Sequence, residues 1–334
     1  MVAPTSTSRD NDTIIATTWD YRVKEFADNI FIEYPLFDAL VKNKKSGSGN
    51  RVEVPIEYEK SATGKFLSSD LETLTPAQSD PGSLAFYDWV EHVDSLAISE
   101  VTRRKNSGAQ KFFDIVNFLI TNKLNSERDA IAKAWWASSP TATESLSIPS
   151  IITTTNTTGS VGGISRATNS FWRQQVNSAV GSFAINGRSL ITKTYNDCSK
   201  GQNSKAPKLI LTDQTGFENA EMHLAARERL VLEATGRSNQ EIGYDGIKFK
   251  NAVIYWDDYC SSTNGGPSSS TDGRWYFLNP EFLHLYVCDG AWMDKGQMIE
   301  PWDQFGKGCK IFSMYQLCVS AMRHLGVMSG VTYP

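Results

Sequence analysis

Apolar residues follow a helical spacing most clearly between residues 107 and 138. Phe113, Val116, Ile120, Leu124, Ile131 and Trp135 fall three, four or seven apart, with Glu127 inside the widest step. That spacing lines one face of a helix with a period of 3.6 residues. Ser107 can cap its start, Ser138-Ser139-Pro140 ends it, and its single glycine, Gly108, lies at the beginning. At 1.5 Å per residue the pattern predicts a rod of about 46 Å, well beyond an average helix. Lys111, Asn117, Lys123, Arg128 and Asp129 occupy the opposite face, which makes the rod half wet and too polar to cross a membrane. A helix this long needs a partner along its length.

Elsewhere the period changes. Residues 1–18 are polar and rich in Thr and Ser, an arm rather than a core segment. Trp19, Val23, Phe26 and Ile30 suggest an amphipathic helix that Tyr34-Pro35 breaks, and Leu36, Phe37, Leu40 and Val41 suggest a short second one. Lys42 to Gly49 reads as a basic, flexible link. Val52, Val54, Ile56 and Tyr58 then alternate with Arg51, Glu53, Pro55 and Glu57, a half-exposed strand that Pro55 assigns to an edge. Residues 84–98 form a second extended run with weaker alternation. The two dozen residues between contain Gly64, Pro76, Pro81 and Gly82 with sparse apolar content (Phe66, Leu67, Leu71, Leu74), and loops of that length in compact domains are usually functional. Together these pieces predict a long hairpin that projects from a monomer with open edges.

After the long helix, residues 141–163 read as a loop or short strand pair with an apolar interruption at Ile148–Ile152, and Gly162-Gly163 as a turn. Residues 173–301 read as α/β. The expected elements are a helix around 187–198, a buried strand at 208–212, a helix from Asp213 to Leu232, and strands at 246–256, 274–278 and 282–287. Asp272-Gly273 is a turn signal. A strand from Cys309 to Ser320 and a closing segment from Met322 to Val331 follow.

Composition narrows the function more by exclusion. The chain has 334 residues, 40% hydrophobic and 21% charged, enough to bury a core and build two or more units. A formal net charge of −4 supplies no global attraction for nucleic acid. Nine Trp, twelve Tyr and sixteen Phe suit either a well-filled core or a chain that packs against others. Five cysteines at 198, 260, 288, 309 and 318, an odd number without a C-x-x-C pair, suit free thiols in a reducing compartment. The first residues lack the charged and apolar regions of a signal peptide, and no run approaches a membrane span, so the protein is expected to fold in the cytosol.

Catalytic patterns are missing. There is no G-x-S-x-G elbow, and His92, His223, His284 and His324 are dispersed without paired-ligand spacing. His284 and Cys288 are four apart, but on a strand they read as packing residues. Asp257-Asp258 lacks the alternation of a calcium loop, and Arg103-Arg104-Lys105 and Lys42–Lys45 read as solvated charge rather than phosphate sites. Gly162-Gly163 is followed by neither dinucleotide nor P-loop spacing. Catalytic, cofactor-binding and metal sites are therefore each expected to be none. A cytosolic α/β enzyme using Asp213, His223 or Asp257 stays open as a rival.

The order of pieces, namely arm, projecting hairpin, long helix, α/β region and returning strand, resembles the Hong Kong 97 fold of tailed double-stranded DNA phage major capsid proteins. Local phrases carry the resemblance as well: Ser46-Gly-Ser-Gly-Asn50 before the strand at 52–58, Val161-Gly-Gly-Ile-Ser-Arg166 with Phe171-Trp-Arg173, Tyr276-Phe-Leu-Asn-Pro280, and Met322-Arg-His-Leu-Gly-Val-Met-Ser-Gly330. It covers the chain from about Trp19 to its end.

The resemblance implies an α+β capsid fold. Its parts would be an N-terminal arm (1–49), an extended β-hairpin or E-loop (50–100), and a peripheral domain (101–165) with a spine helix at 107–138. An axial domain (166–305) and a C-terminal return to the peripheral/axial core (306–334) complete it. It implies a head protein that self-assembles as pentamers and hexamers into an icosahedral shell around double-stranded DNA, located in the virion and assembled in the host cytoplasm. Copies of the chain are the expected partners, with scaffold, portal and decoration proteins as further candidates, weak non-specific contact with packaged DNA, no membrane and no cofactor. The short polar arm fits relatives that use a separate scaffold protein or none. Lys60 and Lys65 lie near the loop that some relatives cross-link, but no specific partner or catalytic carboxylate accompanies them, and no cross-link is expected. An encapsulin-like compartment shares the same fold and is the nearest alternative.

Overall fold

In a computed structural model, the described residues are 34–60, 64, 66–70, 73, 81–105, 115–178, 181–199, 205–225, 246–301 and 305–333. The expectations for the arm at 1–18, the helix at 19–32, the first turns of the long helix with its Ser107 cap, and most of the hairpin tip fall outside them.

The chain enters through a helix, Pro35–Lys42, that buries Leu36, Phe37 and Leu40. The basic stretch after it is not a flexible link: Lys45–Gly47 forms strand β1. Strands β2 (Arg51–Glu57) and β3 (Gly82–Asp88) pair antiparallel with Val54 opposite Ala85. In β2 the buried and exposed residues alternate without exception. The second extended run divides at Trp89, whose indole N–H donates to the Gly49 carbonyl at 2.8 Å. Beyond it, β4 (Val90–Ser99) leaves the hairpin for another sheet. A short helix, Glu100–Lys105, follows.

The long helix is described over Ile115–Ala134, 20 residues, about 30 Å. It ends four residues before Ser138, because Trp135, Trp136 and Ala137 turn back tightly into the core. Residues 148–152, expected as loop or strand, contain a one-turn helix (Ile148–Ile151) closed by a reciprocal Ser147–Ser150 cap. Strands β5 (Ser160–Val161) and β6 (Ile164–Ser165) join through Gly162 and Gly163 at φ +60° and +76°, backbone angles that a two-residue hairpin turn requires.

Further on come β7 (Gln175–Asn177), β8 (Gly181–Ser182), the helix Phe183–Cys198 and β9 (Leu209–Thr212). The helix after β9 runs from Gln214 to Ala220 and passes into a π turn at Glu221–Ala225; the rest of its expected length lies outside the described residues. The run at 246–256 is two strands, β10 (Ile247–Phe249) and β11 (Ala252–Trp256), because Lys250 takes φ 52° and turns the chain. Then follow β12 (Trp275–Leu278), β13 (Leu283–Cys288), β14 (Asp294–Lys295), β15 (Gly306–Val319), β16 (Gly326–Met328) and β17 (Val331–Thr332).

Two sheets organise these strands. The first has the order β10-β11-β9-β12-β16-β7. Its central strands are buried on both faces, so they read as continuous apolar runs. Ile210, Ile254, Trp275, Phe277 and Met328 point towards the helix Phe183–Cys198, while Leu209, Leu211, Tyr276, Leu278 and Val327 point into the main core. The second sheet is built on β15, which pairs with β4 on one side and with β13 and β14 in succession on the other. Strand β13, expected within the α/β region, therefore belongs to this second sheet. The main core lies between the sheets and takes in the hairpin base, the end of the long helix and the helix Pro35–Lys42.

The partner that the long helix needs is β4. Two residues of strand advance about 6.7 Å, and four residues of helix about 6 Å, so an antiparallel helix and strand can stay in step. Glu127 meets His92 at 2.8 Å and Lys123 meets Asp94 at 3.1 Å. One rung further, Ile120 clusters with Leu96, Ile98 and Cys309. Glu127, read from the sequence as part of a polar step, is fully buried.

Candidate assembly surfaces

The hairpin that sequence reasoning left projecting has a fixed base. Val52, Val54, Ile56, Ala85 and Tyr87 join the main core, leaving Arg51, Glu53, Pro55, Glu57, Leu84 and Phe86 on the outer face. The phrases noted in the sequence form its seat. The Trp172 indole donates to the Val161 carbonyl at 2.9 Å, and the Arg173 guanidinium donates to the carbonyls of Arg166 and Ala167 at 2.7 and 2.8 Å. Arg166, 1% exposed, donates to Thr153 Oγ1 at 2.9 Å and to the Ile151 carbonyl. On this clasp the hairpin rests: Phe86 N–H donates to the Gly162 carbonyl at 3.0 Å, and the Tyr58 and Phe171 rings stack at 5.1 Å. A Cβ on Gly162 would stand 2.8 Å from Ala85 Cβ and 2.9 Å from the Tyr87 ring, so the position needs glycine for space as well as for its turn.

Tyr87 ties hairpin to sheet. Its hydroxyl donates to the Val319 carbonyl at 2.9 Å and accepts from Val319 N–H at 3.2 Å, and burial pushes its pKa up. Tyr87→Phe is expected to lower the unfolding free energy by about 1–3 kcal/mol, since it strips two buried backbone groups of a partner; urea unfolding of the free subunit reads it.

Above the seat the outer face sets exposed apolar side chains among charged ones. Leu84 is 43% exposed, Phe86 38% and Tyr58 38%, with Phe66 and Leu67 more exposed still. The Arg51 guanidinium lies 4.1 Å from the centre of the Phe86 ring, and Leu84 stands opposite Pro55, between Glu53 and Glu57 on the paired strand. Exposed apolar side chains with charged neighbours are the composition of a contact surface. Tyr34 provides a second anchor at the start of the described chain. Its hydroxyl and that of Tyr259 both donate to Asp129 on the long helix, and their rings stack at 5.5 Å.

Three comparisons bear on this architecture. A chain from the capsid asymmetric unit of cyanophage A-1(L) superposes with a TM-score of 0.64 at 15% identity, covering 96% of this chain and 99% of that one. The capsid of a native GTA particle gives 0.60 at 12% identity, covering 94% and 97%, and the capsid of Myoviridae phage XM1 gives 0.58 at 9%, covering 92% and 96%. The chain has the fold of phage capsid subunits. The sequence matches no protein-family model and no curated protein.

Within this capsid fold the residues of the rival enzyme reading have structural work. Asp213 and Asp257 follow the neighbouring parallel strands β9 and β11, where open α/β sheets often bind ligands. Each carboxylate is engaged by the fold itself. Asp213 accepts from Gly216 N–H at 3.0 Å and Gly273 N–H at 3.1 Å, and Asp257 accepts from Tyr259 N–H at 3.0 Å. Burial raises the Asp257 pKa to about 7. His223 sits against Phe183 at 6.1 Å, on the far side of the sheet from the main core. No group of three or more His, Cys, Asp or Glu among the described residues could hold a metal ion.

The remaining sequence candidates are also engaged. His284 shares a face of β13 with Cys288, but its Nε2 lies 3.1 Å from Lys45 Nζ. Burial, then the lysine charge, lowers its pKa to about 4. Lys44 lies 5.6 Å from the Trp292 ring, in a groove that also holds Asp294. Arg103 and Arg104 donate to Glu100 at 2.7 and 2.9 Å within their own helix. The Asn279 amide of the Tyr276–Pro280 phrase donates to the carbonyls of Lys205 and Ala206 at 3.0 and 3.1 Å. Two interactions had no signal in the sequence: the Asp129–tyrosine anchor and the His92–Glu127 pair join residues 35 to 130 positions apart.

Proposed function

We propose that this chain is the major capsid protein of a tailed double-stranded DNA phage, and that it self-assembles as pentamers and hexamers into an icosahedral shell around the genome. Its role is structural rather than catalytic. The observation that carries the reading is end-to-end likeness: capsid chains are covered almost completely by this one, and it by them. The three solved structures compared above are phage and GTA capsids, which favours a genome container over a cargo compartment.

On this reading the β2–β3 hairpin is the E-loop and the helix Ile115–Ala134 is the described part of the spine helix. The β15 sheet with that helix is the peripheral domain. The six-stranded sheet with the helix Phe183–Cys198 is the axial domain, to which β16 returns. Neighbouring copies cover the exposed apolar side chains of the hairpin, so its edges are satisfied on assembly. A net charge of −4 suits weak contact with packaged DNA. Scaffold, portal and decoration proteins complete the set of partners, the virion is the final location, and assembly takes place in the host cytoplasm.

The test is expression of the chain alone, followed by a gradient spin and negative-stain microscopy. Closed shells or curved sheets of hexamers are expected. Monomers that persist at high concentration, both with residues 1–18 deleted and with the scaffold protein co-expressed, would overturn the reading.

A further inference from the structure

We propose that His92 and Glu127 form a pH-operated latch between the hairpin-bearing strand β4 and the long helix, engaged while the imidazole is protonated and loosened when it is not. Its consequence for a shell rests on the capsid reading above; the latch itself is a property of the free subunit.

Glu127 is 0% exposed. Its Oε2 lies 2.8 Å from His92 Nδ1, an ion-pair contact, and neither Nδ1 nor either carboxylate oxygen has a hydrogen-bond partner among the described residues. A buried carboxylate with one counter-charge depends on that charge, because removing one member of a buried pair leaves the other uncompensated. The His92 side chain is 38% exposed, so its proton exchanges with solvent without unfolding. The latch can therefore be operated from outside while its load is inside.

The surroundings set the direction. From β4, Asp94 faces the pair but is held by Lys123 on the next turn of the helix at 3.1 Å. From β15, Ser313 stands opposite His92 and Tyr315 lies nearby. From the loop after the helix, Glu144 adds a carboxylate that accepts from Thr141 N–H at 2.8 Å. Lys123, a cation that faces this run of β4 from the helix, is thus taken by Asp94. The close Glu127 carboxylate raises the His92 pKa above its ordinary 6.5, against burial and with help from the charge of Asp94. A histidine raised on folding stabilises fully below the unfolded value and loses that contribution as pH climbs through the folded one. The latch is closed in mild acid and opens towards alkaline pH. What it joins gives it leverage, since β3 continues into β4 through Trp89 and the hairpin is carried on the strand that would loosen.

Amide hydrogen exchange of the full-length free subunit tests this. Protection of β4 is measured from pH 5.5 to 8.5 and corrected for the intrinsic pH dependence of exchange. In the wild type the opening equilibrium is expected to rise about tenfold per pH unit between the free and paired values of the imidazole. Glu127→Gln keeps the shape and removes the charge, and should flatten that slope. His92→Lys keeps a cation throughout and should hold β4 closed at pH 8.5. Asp257 and other groups titrate in the same range, but their contributions are common to all three proteins, so the differences isolate the latch. A wild-type slope retained in either variant, or a flat wild type, would overturn the proposal. If Glu127→Gln does not fold, His92→Lys at the exposed end decides alone. Neither result bears on whether the chain assembles.

Discussion

Replacing Trp135 by alanine is expected to cost the free subunit about 3–5 kcal/mol of unfolding free energy. The residue is fully buried where the long helix gives way to the core, with the Phe37 ring at 5.4 Å and the Tyr315 ring at 6.2 Å. Its carbonyl accepts from Ile148 N–H at 2.8 Å, which fixes the one-turn helix beneath it. Truncation would open a cavity where the helix, the β15 sheet and the helix Pro35–Lys42 meet, and such sites collapse poorly because each wall is held by its own element. One feature works the other way: the Trp135 indole N–H has no acceptor among the described residues, and a buried donor without a partner costs about 1–3 kcal/mol. Trp135→Phe, which keeps most of the volume and drops the donor, is therefore expected to stay within about 1.5 kcal/mol of wild type. A urea series on the two variants checks both numbers. Equal losses in the two would mean that the indole N–H is bonded and that the cavity argument is incomplete.

Trp135 also illustrates what local pattern can reveal. Its place on the apolar face follows from spacing, as do Ile120 and Ile131, because a helix face is a property of neighbours in sequence. The alternation of β2 is as direct, since one face meets core and the other does not. The Gly162-Gly163 turn was readable for a similar reason. Pattern failed where a distant segment decided the outcome. Lys45–Gly47 has the composition of a linker and is a strand because β13 offers an edge for it. The run from residue 84 to 98 divides at Trp89 because β2 claims one half and β15 the other. Glu127 reads as a polar interruption, and only the register of β4 puts His92 beside it. The candidate contact surface was half visible. The pairing of β2 with β3 could be inferred from the two extended runs, whereas the clasp that seats the hairpin depends on hydrogen bonds among residues 151–173 that no spacing rule contains.

The change with the largest functional effect should be Leu84→Glu. Leu84 lies on the outer face of the hairpin, 43% exposed, paired with Pro55 and flanked by Glu53 and Glu57. In the free subunit the new carboxylate stays hydrated, so the loss is expected within about 0.5 kcal/mol, the usual range for a surface substitution. In a shell the same position would be covered by a neighbour, and an unpaired carboxylate there must be desolvated beside two others of its own sign. Symmetry repeats that penalty at every copy. Each 1.4 kcal/mol at one contact weakens it about tenfold, so the concentration needed for assembly should rise by at least about that factor, and shells should vanish at wild-type working concentrations. Leu84→Ala removes apolar area without adding charge and should assemble with reduced yield. Sedimentation with matched thermal melts separates the two effects. A Leu84→Glu protein that melts like wild type yet forms no particles would tie the hairpin face to the subunit contact. Normal particle yield from that variant would mean that neighbours do not cover this face, and the contact surface would have to be sought elsewhere on the fold.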